Sequence, residues 1–430
     1  MKKDTIAAPR VLRLTFCAFT LAFLLAALVA PDRADMLAGL GRILTGPAQL
    51  TKDYFKPELG GLSASMLNTA LIAAICTALT FLPGANVTGA TALAWFLTVG
   101  FGTYGMNPLN MLPMILGTLV YSALRREPFA KNIHFAMFAT GLSPLVTQVL
   151  LYYPDYASGP RFTLVGAGLA LLVGVAVGCA MPALCAHSPA LHKGHNLYNA
   201  GPAAGFLCFL LFTMLYKTAG VEAPAIAADL GEGQPLFANL FCIACFALCL
   251  IAGLILNGGV GDYLKLLRDT GYRTDFTQKY SAGSVLMNLG VYGLFILLYY
   301  NLIGATFTGP TMGAVFCMVC CFAVGATPRN VLPIMLGYGL MGLLHKLGVT
   351  AFAVNSQALV IGLCYASGLA PVAGEFGFVA GIVAGLLHGC LVTSVPAIHG
   401  GFCLYNGGFT AGIVCFIFVP VLEHYRRVKS

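Results

Sequence analysis

Two threonine-rich segments carry the residue types best suited to binding a small polar solute. Thr88-Gly-Ala-Thr91 and Thr308-Gly-Pro-Thr311 each stand directly before an apolar run. Threonine beside glycine or proline in that position is typical of a helix N-terminus. The free N–H groups and the positive dipole end of such a helix favour an anion or a strongly polar group. We expect these four threonines to line a solute path; two ordinary interfacial helix caps are the alternative.

A second pair of segments combines asparagine with proline. Asn110-Met-Leu-Pro113 and Asn330-Val-Leu-Pro333 both lie inside apolar runs. A proline inside a helix frees a backbone carbonyl, which must then be satisfied by a neighbour or by a wet cavity. The asparagine three residues earlier could donate a hydrogen bond to that carbonyl, or it could face the solute. We include both asparagines among the path-lining candidates, with a purely structural kink as the alternative.

A third pair of segments contains a tyrosine followed by an asparagine. Tyr198-Asn199 and Tyr405-Asn406 are each followed by small residues at helical spacing, which allow helices to approach closely. The phenol and amide groups could offer hydrogen bonds to a solute. They could equally cap the helix that follows.

One carboxyl group stands alone in the apolar part of the second half of the chain. Glu375 is the single acidic residue between Asp275 and Glu423, and Gln148 occupies the related position in the first half. A lone carboxyl near the start of an apolar run can bind a proton, Na⁺ or a donor group of the solute. We therefore predict that Glu375 is the coupling or selectivity group and that Gln148 lines the path. A helix-start glutamate stabilised by the helix dipole is the alternative.

These residues lie in a chain whose composition excludes a soluble enzyme. Of 430 residues, 9% are charged and 59% are hydrophobic, whereas ordinary soluble domains have about 25% charged residues. Apolar runs long enough to cross a membrane recur along the chain. We place them near 11–30, 62–82, 88–106, 109–124, 133–152, 161–184, 198–216, 236–256, 282–303, 309–325, 330–345, 350–369, 376–393 and 402–422.

The chain is an internal duplication. Residues 84–117 and 304–337 match without gaps at 15 of 34 positions, and residues 188–209 and 395–416 match at 12 of 22. The shorter segments 139–145 and 366–372 correspond in the same order. We predict two homologous repeats, 1–217 and 236–430, joined by an acidic extracytoplasmic linker at 218–235.

Each repeat has about seven apolar segments, and an odd number makes the second repeat enter the membrane from the opposite side. With the N-terminus inside and fourteen crossings, inside segments hold 16 of the 23 basic residues, as the positive-inside rule requires. We expect an all-α integral membrane protein with inverted repeats and both termini cytoplasmic. Five to seven segments per repeat would be full spans, and the rest re-entrant half-helices. In such a fold the two Thr-Gly helix starts could meet near the midplane.

The duplicated segments resemble an uncharacterised bacterial family of tandem membrane domains, domain of unknown function 1576. That resemblance spans nearly the whole chain and implies a bacterial cytoplasmic membrane. The stretches LYNGGFTAG and YNAGPAAG are also similar to urea transporters, although the pore signature of those proteins is missing. Seven-plus-seven transporters of nucleobases and anions share the span count and use half-helices in the third and tenth segments. The Thr-Gly elements open the third and tenth runs here.

Fifteen cysteines raise the question of a metal site. Cys242-Ile-Ala-Cys245 and Cys317-Met-Val-Cys320 have CxxC spacing, but both lie in apolar runs where cysteine behaves as a small hydrophobe. We expect no metal and no cofactor. No catalytic motif is present, so we expect no enzyme activity.

We therefore predict a transporter or channel for a small polar or anionic solute, with its path between the two repeats in a bacterial inner membrane. Its partners would be the lipid bilayer, the solute and H⁺ or Na⁺, without nucleic acid, because the basic residues form no single stripe. The glycine-rich faces are compatible with a homo-oligomer. A membrane scaffold or assembly protein is the alternative.

Overall fold

The computed structural model describes residues 7–428, and their regular secondary structure is helical. The first repeat contains α1 Ala8–Val29, α2 Met36–Thr45, α3 Leu62–Thr80, α4 Gly89–Gly100, α5 Pro108–Arg125, α6 Ile133–Ala139, α7 Ser143–Leu151, α8 Leu164–His187, α9 Pro189–His192 and α10 Ala200–Phe212. The second contains α11 Pro235–Asn257, α12 Gly261–Leu266, α13 Phe276–Lys279, α14 Ala282–Leu302, α15 Gly309–Val319, α16 Pro328–Lys346, α17 Gln357–Ala366, α18 Ala370–Phe376, α19 Phe378–Val392 and α20 Asn406–Val428.

The helices confirm the predicted all-helical membrane architecture. Among residues 7–428, nine helical segments are long and apolar enough to cross a membrane, and three shorter apolar helices accompany them. The apolar surface of the bundle faces outward, as expected for a protein whose solvent is lipid. Leu164 and Leu236, for example, are 85% and 73% exposed. The run expected from residue 350 begins only at Gln357, because residues 347–356 form a loop.

Contacts between loops divide them into two groups at opposite ends of the bundle. At the end where α1 begins, which we call the proximal end, Arg13 Nε donates to Thr80 O (2.9 Å). At the opposite, distal end, the Tyr152 hydroxyl donates to Thr45 O (3.0 Å) and the Gln49 amide donates to Gly400 O (3.0 Å).

The linker lies at the distal end and the end of α20 at the proximal end. Asp229 of the linker forms an ion pair with Lys52 (3.6 Å), which lies in the loop after α2. Near the end of α20, Glu423 pairs with Lys193. The first repeat therefore begins at the proximal end and the second at the distal end, which makes the repeats inverted. The prediction that Lys2, Lys3 and Lys429 belong to inside segments lies outside the described residues.

Two short helices, α4 and α15, form the centre of the bundle. On one side they pack against an aromatic core contributed mainly by α1 and α11. Phe16 stacks on Trp95 at 4.8 Å between ring centroids, and Phe19 and Phe23 contact Phe316 edge-on at 6.1 and 5.2 Å. This side of the repeat interface is therefore packed with hydrocarbon. The other side, described below, is lined by hydroxyl and thiol groups.

Candidate functional site

The equivalent helices α4 and α15 lie side by side and antiparallel. A Cβ atom built on Gly89, at the start of α4, would lie 2.8 Å from Ala323 O just beyond the end of α15. A Cβ atom on Gly309, at the start of α15, would lie 2.6 Å from Thr103 O just beyond the end of α4. The two helix starts are therefore separated by roughly the length of one helix, about 18 Å. The expectation that they meet near the midplane was wrong, because α4 and α15 lie side by side over their full length instead of end to end.

At the distal end, the start of α15 is occupied by a carboxylate from the first repeat. Asp53 accepts hydrogen bonds from the backbone N–H groups of Gly309 (2.8 Å), Phe55 (2.9 Å) and Gly231 (2.9 Å). Asp53 is fully buried. Burial raises the pKa of its carboxyl above the ordinary value, although the three N–H groups oppose that shift. Asp53 thus joins the loop after α2, the linker and the second repeat.

At the proximal end, the start of α4 is held in the same way by the second repeat. Asp275 accepts hydrogen bonds from the backbone N–H groups of Gly89 (3.1 Å) and Thr277 (2.9 Å). Neither Asp53 nor Asp275 was among the candidates predicted from the sequence. Their signal was an aspartate followed by an aromatic residue in the corresponding long loops of the two repeats. Each helix start therefore already has an anionic partner from the protein itself.

The four threonines cap the two helix starts. The Thr88 backbone N–H donates to Thr91 Oγ1 (3.2 Å) at the proximal end. At the distal end, the Thr311 backbone N–H donates to Thr308 Oγ1 (3.3 Å), and Gln357 from α17 donates to the Thr311 hydroxyl (3.1 Å). The structure thus confirms the helix-start geometry that the threonines indicated. It separates them into two equivalent pairs, one at each end.

The two proline-linked asparagines also cap helices. Asn110 Oδ1 accepts the backbone N–H of Asn107 (2.9 Å), and Asn330 Oδ1 accepts that of Thr327 (2.8 Å). The Asn110 amide also donates to the Thr147 hydroxyl (3.0 Å). Among the described residues, neither asparagine amide donates a hydrogen bond to the carbonyl that the proline frees. Helices α5 and α16 continue through Pro113 and Pro333. Asn110 lies at the distal end and Asn330 at the proximal end.

The asparagines of the Tyr-Asn segments pair with histidines. Asn199 Oδ1 lies 3.0 Å from His192 Nε2, and Asn406 Oδ1 lies 3.0 Å from His399 Nε2. Both asparagine amides donate to backbone carbonyls at the end of the preceding long helix. This network fixes the loop before α10 and the loop before α20 in the same way.

The tyrosines of these loops cross into the opposite repeat. The ring of Tyr198 covers Gly368, and the ring of Tyr405 covers Gly141. A Cβ atom on these glycines would lie 2.4 and 1.8 Å from the respective rings. The leucine before each tyrosine donates its backbone N–H to the same glycine's carbonyl, at 2.9 Å in both cases. Since a side chain at either glycine would collide with the tyrosine, these positions require glycine.

The crossing tyrosines meet other hydroxyl and thiol groups beside α4 and α15. The Tyr198 hydroxyl donates to Cys317 O (2.8 Å) or Cys364 O (3.0 Å) and lies 3.1 Å from Ser367 Oγ. The Tyr104 hydroxyl lies 3.8 Å from Cys317 Sγ. We call this buried set the central cluster, and it consists of Tyr104, Tyr198, Tyr292, Tyr365, Tyr405, Ser367, Cys317 and Cys364.

Several buried polar atoms at or near the central cluster have no hydrogen-bond partner among the described residues. They include the hydroxyls of Tyr292 and Tyr405 and the amide oxygens of Asn68 and Asn288. The amide nitrogens of both asparagines do bind carbonyls, in the same pattern in each repeat. An unpaired buried polar group costs about 1–3 kcal/mol. These groups are therefore available to a ligand or to water.

Glu375 lies away from the central cluster. It is half-buried near the end of α18 at the proximal end, eight residues beyond Ser367, or about 12 Å at helical rise. Its electrostatic neighbour is His195, whose ring lies between those of Tyr272 (4.6 Å) and Phe376 (5.3 Å). Burial lowers the pKa of His195, and Glu375 opposes that effect. Gln148 is buried near the distal end of α7, so the two equivalent positions also lie at opposite ends.

Within residues 7–428, no cluster of three or more histidine, cysteine or acidic side chains could hold a metal ion. Of the cysteines with CxxC spacing, Cys242, Cys317 and Cys320 are buried and Cys245 is partly exposed. Cys320 Sγ donates to Cys317 O at 2.9 Å.

The two halves of the chain match one family model. The model is described as a protein of unknown function (DUF1576), and it matches residues 32–217 and 240–424. The chain belongs to this family. No curated protein and no solved structure matches the chain.

Each DUF1576 region carries one of the two capping aspartates, one of the two central helices and one of the two crossing tyrosines. The region 32–217 contains Asp53, α4 and Tyr198, and the region 240–424 contains Asp275, α15 and Tyr405. Because each aspartate and each tyrosine acts on the opposite region, a single DUF1576 region lacks the partners it needs. The duplication within one chain supplies both.

Proposed function

We propose that this membrane protein moves a small polar solute across the bilayer, with the path at the interface between the two repeats. The observation that carries the proposal is that two buried hydroxyls of the central cluster, those of Tyr292 and Tyr405, have no hydrogen-bond partner in the described part of the chain. In an otherwise apolar bundle, such groups are unfavourable unless water or a solute reaches them in another conformation. The inverted repeats support the same function, since they allow equivalent rearrangements toward either side.

In this proposal the described conformation is closed at both ends. Asp53 ties the linker and the loop after α2 to α15, while Asp275 ties the loop before α14 to α4. Opening toward one side would require only the contacts at that end to separate. The four threonines and the asparagines at positions 110, 199, 330 and 406 would then line the two entrances. The proximal end would face the cytoplasm of a bacterial cell, and Glu375 would be the group that couples entry there to H⁺ or Na⁺.

The native cysteines allow a test that requires no known substrate. Cys317 and Cys364 belong to the central cluster, whereas Cys76 and Cys242 are equally buried but lie elsewhere in the hydrophobic core. Protein in liposomes is treated with the neutral polar reagent 2-hydroxyethyl methanethiosulfonate, and modification of each cysteine is measured by peptide mass spectrometry.

A path through the central cluster predicts that Cys317 and Cys364 are modified at least about tenfold faster than Cys76 and Cys242. This ratio corresponds to a difference of about 1.4 kcal/mol in the free energy of exposure. Equal protection of all four cysteines would contradict a solute path.

A membrane scaffold without transport is the second candidate. It is favoured by the hydrocarbon packing between α1, α4 and α15 and by the apolar groove of about 320 Å³ between α1 and α11, which opens to the outer surface. A scaffold predicts the protected central cysteines that would contradict transport, so the same measurement separates the two functions.

A further inference from the structure

We infer that the central cluster is the solute site and that its solute is an uncharged molecule carrying both hydrogen-bond donors and acceptors. This inference rests on the proposed transport function and narrows it. It differs from the expectation of an anionic solute that the Thr-Gly helix starts suggested.

Four short 3₁₀ turns lie at the repeat interface around the site. Two follow the central helices α4 and α15, at 101–103 and 320–323, and two follow α6 and α17, at 140–142 and 367–369. Irregular backbone at membrane depth persists where it is buried in protein or lines a cavity. Here two carbonyls next to these turns, Cys317 O and Cys364 O, already bind the Tyr198 hydroxyl. These carbonyls hold the crossing tyrosine in place, and the groups left for a solute are side chains.

The side chains offer the complementary hydrogen-bonding groups. Among residues 7–428, no atom forms a hydrogen bond of normal distance and angle with the hydroxyl of Tyr292 or Tyr405, and both side chains are fully buried. A hydroxyl can donate one hydrogen bond and also accept. The Asn288 amide oxygen, one helical turn before Tyr292, is a further unpaired acceptor. A solute with both N–H or O–H groups and a carbonyl or hydroxyl oxygen would satisfy them.

The second repeat provides most of the hydroxyl and thiol groups of the central cluster. Tyr292 and Cys317 occupy positions equivalent to Ile72 and Leu97 of the first repeat at the offset of 220. A pair of apolar residues in one repeat thus corresponds to a hydroxyl and a thiol in the other. The site is asymmetric on a symmetric scaffold, as expected if one solute binds where the two repeats meet.

The charge distribution determines the class of solute. The central cluster contains no acidic or basic residue, and the starts of the two central helices, α4 and α15, are held by Asp275 and Asp53. A cation at the cluster would have no carboxylate, and an anion would find the N–H groups at the starts of α4 and α15 already bound. Because a charge at lipid depth requires a partner, an uncharged solute fits the cluster and an ion does not.

The test compares three planar probes of similar size that differ in charge: urea, guanidinium and nitrate. Their entry into proteoliposomes is measured against protein-free liposomes. The variants are Tyr292→Phe and Tyr405→Phe, and Tyr216→Phe is the matched control. Tyr216 is also a buried tyrosine, but it lies at the distal end beside Phe402.

We expect protein-dependent entry of urea at least about tenfold faster than that of either ion, and a several-fold loss in both cluster variants but not in the control. Faster or equal entry of an ion would overturn the charge assignment. The absence of protein-dependent urea entry would overturn the charge assignment as well. An unchanged urea rate in both cluster variants would remove the central cluster as the site. Since modification of Cys317 and Cys364 is measured separately, a path that exists but admits ions would refute this inference while leaving the proposed function intact.

Discussion

Replacement of Asp53 by alanine tests the cross-repeat cap that closes the distal end. The side chain is fully buried and accepts three backbone hydrogen bonds, from Gly309, Phe55 and Gly231. Alanine removes both acceptor oxygens and leaves three N–H groups without their partner. The loop after α2, the linker and α15 would lose a shared contact at the same time.

The size of the effect follows from this geometry. A hydrogen bond to a charged group contributes about 1.5–3 kcal/mol, so simple addition over three bonds gives an upper limit. The contributions of neighbouring bonds are not additive, and removal of the carboxylate also relieves the cost of burying it. We therefore expect Asp53→Ala to lower the free energy of unfolding by about 3 kcal/mol. Asp275→Ala should lose about 1 kcal/mol, because Asp275 is only half-buried and accepts a single bond from α4.

The single tryptophan of the chain provides the measurement. Trp95 is buried in the aromatic core, stacked on Phe16, and its indole N–H donates to the Thr77 hydroxyl (3.0 Å). Its fluorescence in mixed detergent micelles, titrated with sodium dodecyl sulfate, reports unfolding of the repeat interface. The control is Asp155→Ala, because Asp155 is exposed and bonds only within its own loop. That change should stay within about 0.5 kcal/mol.

A stability of Asp53→Ala equal to that of the Asp155 control would refute the stabilising role of the Asp53 cap. A larger loss for Asp275→Ala than for Asp53→Ala would also contradict it, because burial is the basis of the predicted order. Asp53→Asn keeps one acceptor oxygen and should therefore fall between wild type and Asp53→Ala.

Three further predictions can be checked with the same unfolding titration. Asn68→Ala leaves two buried carbonyls unpaired and should cost about 2 kcal/mol; an unchanged midpoint would show that those bonds contribute nothing. Gly141→Ala places a Cβ atom within 1.8 Å of the Tyr405 ring and should cost about 1–3 kcal/mol. In contrast, Gly168→Ala, where the Cβ meets open space, should be neutral or stabilising by up to about 1 kcal/mol. The hydrogen bond from Lys56 holds the pKa of Asp229 below its ordinary 3.8. The stabilisation by Asp229 is therefore present above pH 3.8 and is lost as the pH falls through the folded-state pKa. Asp229→Asn should remove this acid-dependent loss, and an identical pH profile in the variant would refute the assignment.

Most of the candidate residues predicted from the sequence cap helices or hold loops in place. Thr88, Thr308, Asn110 and Asn330 stand at helix starts, as the local patterns indicated. Their distribution over two opposite ends could not be predicted, because a pattern of neighbouring residues carries no information about the distance between two distant segments. Whether they contact a solute stays a prediction.

The central cluster could not be assembled from local patterns either. Tyr292 lies in an ordinary apolar run of α14, and no local pattern marks it as a candidate. Its importance comes from a hydroxyl that the surrounding side chains leave unpaired. Tyr198 and Tyr405 were recognised through the duplication, yet their contacts with the opposite repeat depend on how the two halves dock.

The order of the apolar segments, the duplication and the inverted direction of the second repeat could be predicted from the sequence, whereas five to seven full spans per repeat were left open. These features follow from hydropathy, residue spacing and the distribution of basic residues, all of which are read along the chain. Which polar groups form hydrogen bonds with each other depends on the tertiary structure. The bond between Asp53 and Gly309 joins residues 256 positions apart, and any nearby anion could have satisfied that helix start. Only the packing of one repeat against the other places a carboxylate there and leaves the central hydroxyls free.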